Sequence, residues 1–422
     1  MPAPACENRR VPDTFHIPGL VLVDHELEVP LDHANPGGEQ ITVFAREVAE
    51  PEGRDKPFLV FLQGGPGQEA PRVTGIPRGP GWLDRALKDF RVLMLDQRGT
   101  GRSTPVGRLP GRSAEEQVEY LKHFRADAVV RDAEAFREAL GVERWSVLGQ
   151  SFGGLCVMTY LSFAPHGLRE ALITGGVPPI DQRPVDEIYA RTYERTLERN
   201  RLYYERYPVD RDRVRSLQGV LDAGNVRLPS GDRLTFRRLR QIGDAMGFSD
   251  GFDAIHAALE LPYDSPAFGH DVEAATAFAR NPIYAILHEA CWADGTATRW
   301  SADRLLPDVY AETPELLTGE HVFPWMFDDY GALSPLHDAA MTLAEHEWPR
   351  LYDSEQLRAN EVPTAAAVYA EDMYVERVFS EETVAAVPNM RAWLTNEYDH
   401  NGLRADGERI FGRLLDLTRG RA

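Results

Sequence analysis

Short apolar runs recur at both ends of the chain, those of the first part ending in glycine-rich turns, whereas the middle mixes apolar and charged positions at helical spacing. Leu20 to Val29 and Gln40 to Arg46 read as strands. The turn-rich segment Asp32-His33-Ala34-Asn35-Pro36-Gly37-Gly38 between them predicts a β-hairpin. Phe58 to Leu62 and Arg91 to Leu95 are short enough to be central strands. They run into Gln63-Gly64-Gly65-Pro66-Gly67 and Asp96-Gln97-Arg98-Gly99-Thr100-Gly101-Arg102-Ser103. Val129, Ala133, Phe136 and Leu140 recur on one helical face between Ala126 and Leu140. Trp145 to Leu148 is a further buried strand, Leu155 to Phe163 a helix, and Leu172 to Gly176 another strand. Strands alternating with helices predict a mostly parallel α/β sheet whose ligand site lies at the strand C-termini.

From about residue 181 to 345 the texture changes. This stretch is rich in Arg, Glu and Tyr, and Arg191 to Tyr207 is strongly charged without a long apolar run. It predicts a helical insertion forming a lid, its charges on solvated helix faces. Strand patterning returns at Thr364 to Ala370 and Arg391 to Thr395, and Gly407 to Leu417 reads as a C-terminal helix. The expected organisation is therefore a core in two parts, residues 1–180 and 346–422, with a helical cap at 181–345. A chain of 422 residues has room for both.

Composition narrows the function classes. No run approaches the roughly 18–20 apolar residues of a membrane span. A formal charge of −20 argues against nucleic acid or an anionic membrane as partner. Cys6, Cys156 and Cys291 are odd in number and widely spaced, as expected of reduced thiols. Met1 to Arg10 lacks the apolar core of a signal peptide, so the expected location is cytoplasmic. His288-Glu289-Ala290-Cys291-Trp292 begins like a zinc-binding H-E-x-x-H but has Trp292 at the second ligand position. With no phosphate loop or dinucleotide fingerprint either, no metal or cofactor is expected.

The candidate chemistry is nucleophilic. Gly149-Gln150-Ser151-Phe152-Gly153, between a predicted strand and helix, matches the G-x-S-x-G nucleophile elbow. A serine nucleophile needs a base, and the base needs a partner that fixes its tautomer. Ser151, Asp372 and His400 occur in the order Ser, acid, His of the α/β-hydrolase fold, each just after a predicted strand. Glu371 and Asp399 are weaker alternatives for the acid. His166, His288 and His346 read as helical, and His25 and His33 flank the hairpin. The oxyanion hole is expected from the Phe152 backbone N–H and the loop carrying Gly64 and Gly65. Asp96, beside Arg98 and Arg102, reads as a structural ion pair.

Taken together, Gly64-Gly65-Pro66-Gly67, Asp96 to Ser103, Gly149 to Gly154, Ala370-Glu371-Asp372-Met373-Tyr374 and Asn396 to Gly402 resemble the proline iminopeptidases. These are serine peptidases of the α/β-hydrolase fold, and the five motifs fall in the family's order. Gln63 stands where smaller members carry His, which resembles the longer subgroup. The resemblance implies release of N-terminal proline from small peptides through an acyl-enzyme, without a metal. It also implies cap carboxylates that grip the free imino terminus. Glu289 resembles the first of them, and Asp328 or Asp329 stands where the second is expected. Phe152, Trp292, Phe327 and Tyr398 are candidates for an apolar proline pocket. An esterase or amidase acting on a non-peptide substrate is the alternative, and the sequence is compatible with a homo-oligomer.

Overall fold

One nine-stranded sheet gathers strands from both ends of the chain. The computed structural model describes residues 13–224 and 226–422; Cys6 and Met1 to Arg10 lie outside the described residues. The strands are β1 (Asp13–Ile17), β2 (Leu20–Pro30), β3 (Gln40–Ala49), β4 (Phe58–Leu62) and β5 (Arg91–Leu95). After these come β6 (Trp145–Gln150), β7 (Leu168–Thr174), β8 (Thr364–Tyr369) and β9 (Met390–Thr395). In space they run β1-β2-β3-β5-β4-β6-β7-β8-β9. The first three pair antiparallel, as does β3 with β5; every later pairing is parallel.

The apolar runs are continuous because the parallel strands are covered on both faces. Phe58, Val60 and Leu62 of β4 enter one hydrophobic cluster, and Leu59 and Phe61 enter the other. In β5, Leu93 and Leu95 alternate with Val92 and Met94 in the same way. The first face is covered by α1 (Ala126–Ala139) and α2 (Phe152–Phe163). Helix α2 is apolar nearly all round and correspondingly buried.

Between β7 and β8 the chain leaves the sheet. It opens with the long helix α3 (Val185–Arg206) and continues through short helices and 3₁₀ turns. Tyr203, Val214, Leu239, Phe268 and Leu317 centre a cluster of their own, which takes in Met373, Tyr374 and Val375 from the loop after β8. Buried apolar residues from Ile283 to Ala302 and from Val322 to Leu343 pack instead into the core against the sheet. Arg125, fully buried, ties the two regions by donating to the carbonyls of Ala290, Ala293 and Pro349 at 3.1, 2.7 and 2.7 Å. The chain closes with α4 (Gly407–Thr418), whose Ile410, Phe411, Leu414 and Leu415 cover the second face.

Some boundaries differ from expectation. Strand β1 was not anticipated, because its five residues are largely exposed and hold only two apolar positions, Phe15 and Ile17. Strand β7 begins at Leu168, earlier than Leu172. His346 lies beyond the helix His337–Ala344, and His25 sits within β2.

Candidate active site

The turn from β6 into α2 forces Ser151 into φ 55°, ψ −123°, outside the regions a side-chain-bearing residue ordinarily occupies. It is held there by backbone bonds. The Ser151 N–H donates to Thr174 O at 2.9 Å, and Ser151 O accepts from Gly154 N–H at 2.7 Å. The flanking glycines are required by contact: a Cβ on Gly149 would collide with the Gly153 carbonyl, and one on Gly153 with the Leu62 carbonyl. Phe152 opens α2, so its N–H belongs to the helix turn that lacks intrahelical acceptors. The loop after β4 lies against this turn. A Cβ on Gly64 would stand 3.0 Å from Ser151 Cβ, Gly65 adopts φ 133°, and Gln97 Nε2 anchors the loop by donating to Gln63 O at 2.8 Å.

Asp372 and His400 meet beside this elbow. His400 Nδ1 lies 2.7 Å from Asp372 Oδ2, both side chains buried. The other carboxylate oxygen, Oδ1, accepts the N–H groups of Tyr374 and Val375 at 2.9 and 3.0 Å, which locks the acid in place. The Tyr374 ring packs edge-on to the imidazole at 4.7 Å. Burial disfavours a charged imidazole, but the charge and hydrogen bond of Asp372, helped by Glu320 and Asp244, outweigh it and raise His400 above the ordinary histidine value. A Cβ on Gly175, which follows β7, would stand 3.1 Å from His400 Nδ1, so the ring lies next to the strand end that holds Ser151. Glu371 is exposed, and Asp399 pairs with Arg199 at 3.2 Å.

A cavity of about 480 Å³ opens alongside, lined by Gln63 and Gln68 from the core loop and by Gln241, Asp244, Tyr284 and Glu320 from the helical region. Gln63 precedes Gly64, so the cavity begins one residue from the loop that touches Ser151. Tyr284 donates its hydroxyl to Glu320 Oε1, and His288 Nε2 lies 3.6 Å from Glu320 Oε2. Burial works against the Glu320 charge, but His288 and Tyr284 prevail and hold its carboxyl below the usual glutamate range. Burial, then the neighbouring Glu320 charge, pushes Asp244 up to about 7, and its Oδ1 has no partner among the described residues.

Neither carboxylate was anticipated, and the anticipated ones lie elsewhere. Glu289 is buried, but its oxygens accept the N–H groups of Ser301 and Ala302 at 3.2 and 2.8 Å. It thereby satisfies the start of the short helix Ser301–Arg304 and does not line the large cavity. Asp329 is engaged by Arg237 and Thr235, and Asp328 is exposed, 3.6 Å from His337. Phe327 packs on Trp300 within the core, and Trp292 wedges between two hydrophobic clusters. Tyr398 donates to Asp406 at 2.6 Å, and the Phe152 ring is core. None of these four rings lines the cavity. Asp96 is paired, but with Arg72 at 2.8 and 2.7 Å, since Arg98 is taken by Asp132 and Arg102 by Asp24 and Glu26. Among the described residues no group of three His, Cys, Asp or Glu is arranged to hold a metal, and no helix is long and apolar enough to cross a membrane.

A parallel sheet with a strained serine at a strand–helix elbow, and a His–acid pair after later strands, defines an α/β hydrolase. The model of the alpha/beta hydrolase fold matches residues 57–258. The solved structure of esterase E22 superposes over 94% of this chain and 100% of that one, with a TM-score of 0.50 at 11% identity, which speaks for the fold alone. Proline iminopeptidase of Aeromonas sobria is 46% identical over 96% of this chain and 98% of its own length. Proline iminopeptidase aneH of Aspergillus aculeatus is 33% identical over 93% of each. The chain belongs to the proline iminopeptidase family.

Proposed function

We propose that Ser151, His400 and Asp372 form the catalytic triad of this prolyl aminopeptidase, and that Asp244 and Glu320 receive the substrate's imino terminus. The enzyme releases N-terminal proline from peptides. His400 Nδ1 is committed to Asp372, so Nε2 is the nitrogen that takes the Ser151 proton. Ser151 Oγ then attacks the proline carbonyl carbon. The oxyanion is received by the Phe152 N–H together with the Gly64–Gly65 loop. His400 passes its proton to the departing amine, leaving proline as an ester on Ser151. Water, deprotonated by the same imidazole, completes the cycle. All of these steps use the chain's own side chains and backbone.

The observation that carries the assignment is the cavity, which begins beside the oxyanion loop and holds two close carboxylates. A secondary ammonium placed between them relieves their repulsion; a blocked, neutral nitrogen leaves two half-buried acids uncompensated. The same proposal takes residues 181–345 as the cap over a core built from 1–180 and 346–422. It also places the enzyme in the cytoplasm, in keeping with Cys156 and Cys291, which are free and buried.

The test is release of chromophore from the arylamides of proline and of N-acetylproline, with Ser151→Ala as control. Turnover of the free compound alone, lost in the variant, is expected. Equal turnover of both compounds would remove Asp244 and Glu320 from recognition, and activity surviving in Ser151→Ala would remove the triad.

A further inference from the structure

The cavity extends well beyond what one proline ring occupies, in the range of roughly 300–1,000 Å³ that encloses a whole small ligand. Away from Asp244 and Glu320 its walls are residues 68–72 of the core and 275–281 of the helical region, and among the described lining residues its guanidinium groups are Arg72 and Arg280. The two are committed differently. Arg72 gives both terminal nitrogens to the buried Asp96. Arg280 gives Nε and Nη2 to Glu69 Oε1, while Glu69 Oε2 accepts from Asn281 Nδ2 at 2.9 Å. The Arg280 side chain is 79% exposed and so stands at the mouth, whereas that of Glu69 is 9% exposed.

A guanidinium offers a carboxylate two edges, Nε with Nη2 and Nη1 with Nη2. Glu69 occupies the first, and among the described residues the Nη1 end is left for a second anion. On a chain of net charge −20, an anionic leaving group needs such a local cation at the entrance.

We propose that Arg280 receives a carboxylate of the departing peptide. The source is either the C-terminus of a very short peptide or an acidic side chain directly after the proline. The cavity then reads a zwitterion, its cationic imino end at Asp244 and Glu320 and its anionic end at Arg280. The inference rests on the reading of the imino site given above. Because the Arg280 end is exposed, the expected preference is modest, about fivefold in kcat/KM.

The experiment compares kcat/KM for prolylglycine, prolylglycinamide and prolyl-α-aspartamide in the wild type and in Arg280→Gln. Taking the ratio of substrates within each protein cancels any loss of folded enzyme. The wild type is expected to favour the carboxylate-bearing compounds over prolylglycinamide about fivefold, and Arg280→Gln to bring the ratio near one. Preference for prolylglycine alone assigns the C-terminal carboxylate; preference for the aspartamide alone assigns the side chain. A wild type that does not discriminate, or a ratio that survives Arg280→Gln, overturns the proposal. Failure of the wild type to release proline from any of the three overturns the parent reading instead.

Discussion

The elbow and the acid-lined cavity are neighbours built on opposite rules. At the elbow Ser151 and Asp372 are fixed by backbone: Ser151 is held by Thr174 O and Gly154 N–H, and Asp372 by two N–H groups. In the cavity Glu320 is held by a tyrosine hydroxyl and a histidine, and Asp244 Oδ1 has no partner among the described residues. The first region is preorganised by the backbone around Ser151 and Asp372. The second is electrostatically incomplete, and under the proposed function an incoming cation completes it. On that proposal rigidity serves bond making, and unsatisfied charge serves selection.

The largest break in this contrast is Ser151→Ala, which should lower proline arylamide turnover by about 10⁴–10⁶-fold with the thermal melt unchanged. Next comes Gly153→Ala, whose methyl meets the Leu62 carbonyl with no flexible atom to give way. A loss of more than about 3 kcal/mol in denaturant unfolding is expected, and wild-type stability would show the elbow to be softer than its contacts imply. Glu320→Gln should reduce kcat/KM for proline arylamide about 10²-fold, mostly through KM, in steady-state assays; an unchanged KM would clear this residue of recognition.

Glu289 sharpens the comparison from the other side. Burial pushes its carboxyl up to about 7, against the hydrogen bonds from Ala302, Thr298 and Ser301. A raised acid binds more protons folded than unfolded, so its contribution to stability is present at low pH and is lost as pH rises from about 4.5 to about 7. Glu289→Gln lacks this slope. Its melting temperature relative to wild type should therefore climb between pH 5 and pH 8, without the selective KM defect of Glu320→Gln. The smallest effect belongs to Asp328→Asn, expected within about 0.5 kcal/mol in stability and twofold in kcat/KM.

The same division explains what the sequence could tell. Strands such as Phe58–Leu62 and Thr364–Tyr369 were legible because burial on both faces demands apolar runs. Ser151, Asp372 and His400 were legible because backbone geometry ties each to a strand end. Strand β1 was not, since an exposed edge leaves little apolar trace. Asp244 lies in the 3₁₀ turn Arg240–Gly247 and Glu320 in a loop, where only tertiary packing brings them together. Glu289 sits at a helix start and outside the cavity, and a glutamate in either place has the same local sequence. The partner of Asp96 was missed for a related reason: Arg72 is far in sequence, and Arg98 and Arg102 had other acids to meet.

The tripeptide Met373–Val375 belongs to the loop that bears Asp372, yet it is packed inside the hydrophobic cluster of the helical region. The helical region of this protein therefore cannot be exchanged as a cassette. A chimera that imports residues 185–344 from a relative imports a foreign socket for this tripeptide, and the mismatch is delivered straight to Asp372, the proposed triad acid. A working graft has to carry Met373, Tyr374 and Val375 along with the helices, so the downstream recombination breakpoint should fall after Val375 rather than at the end of the insertion.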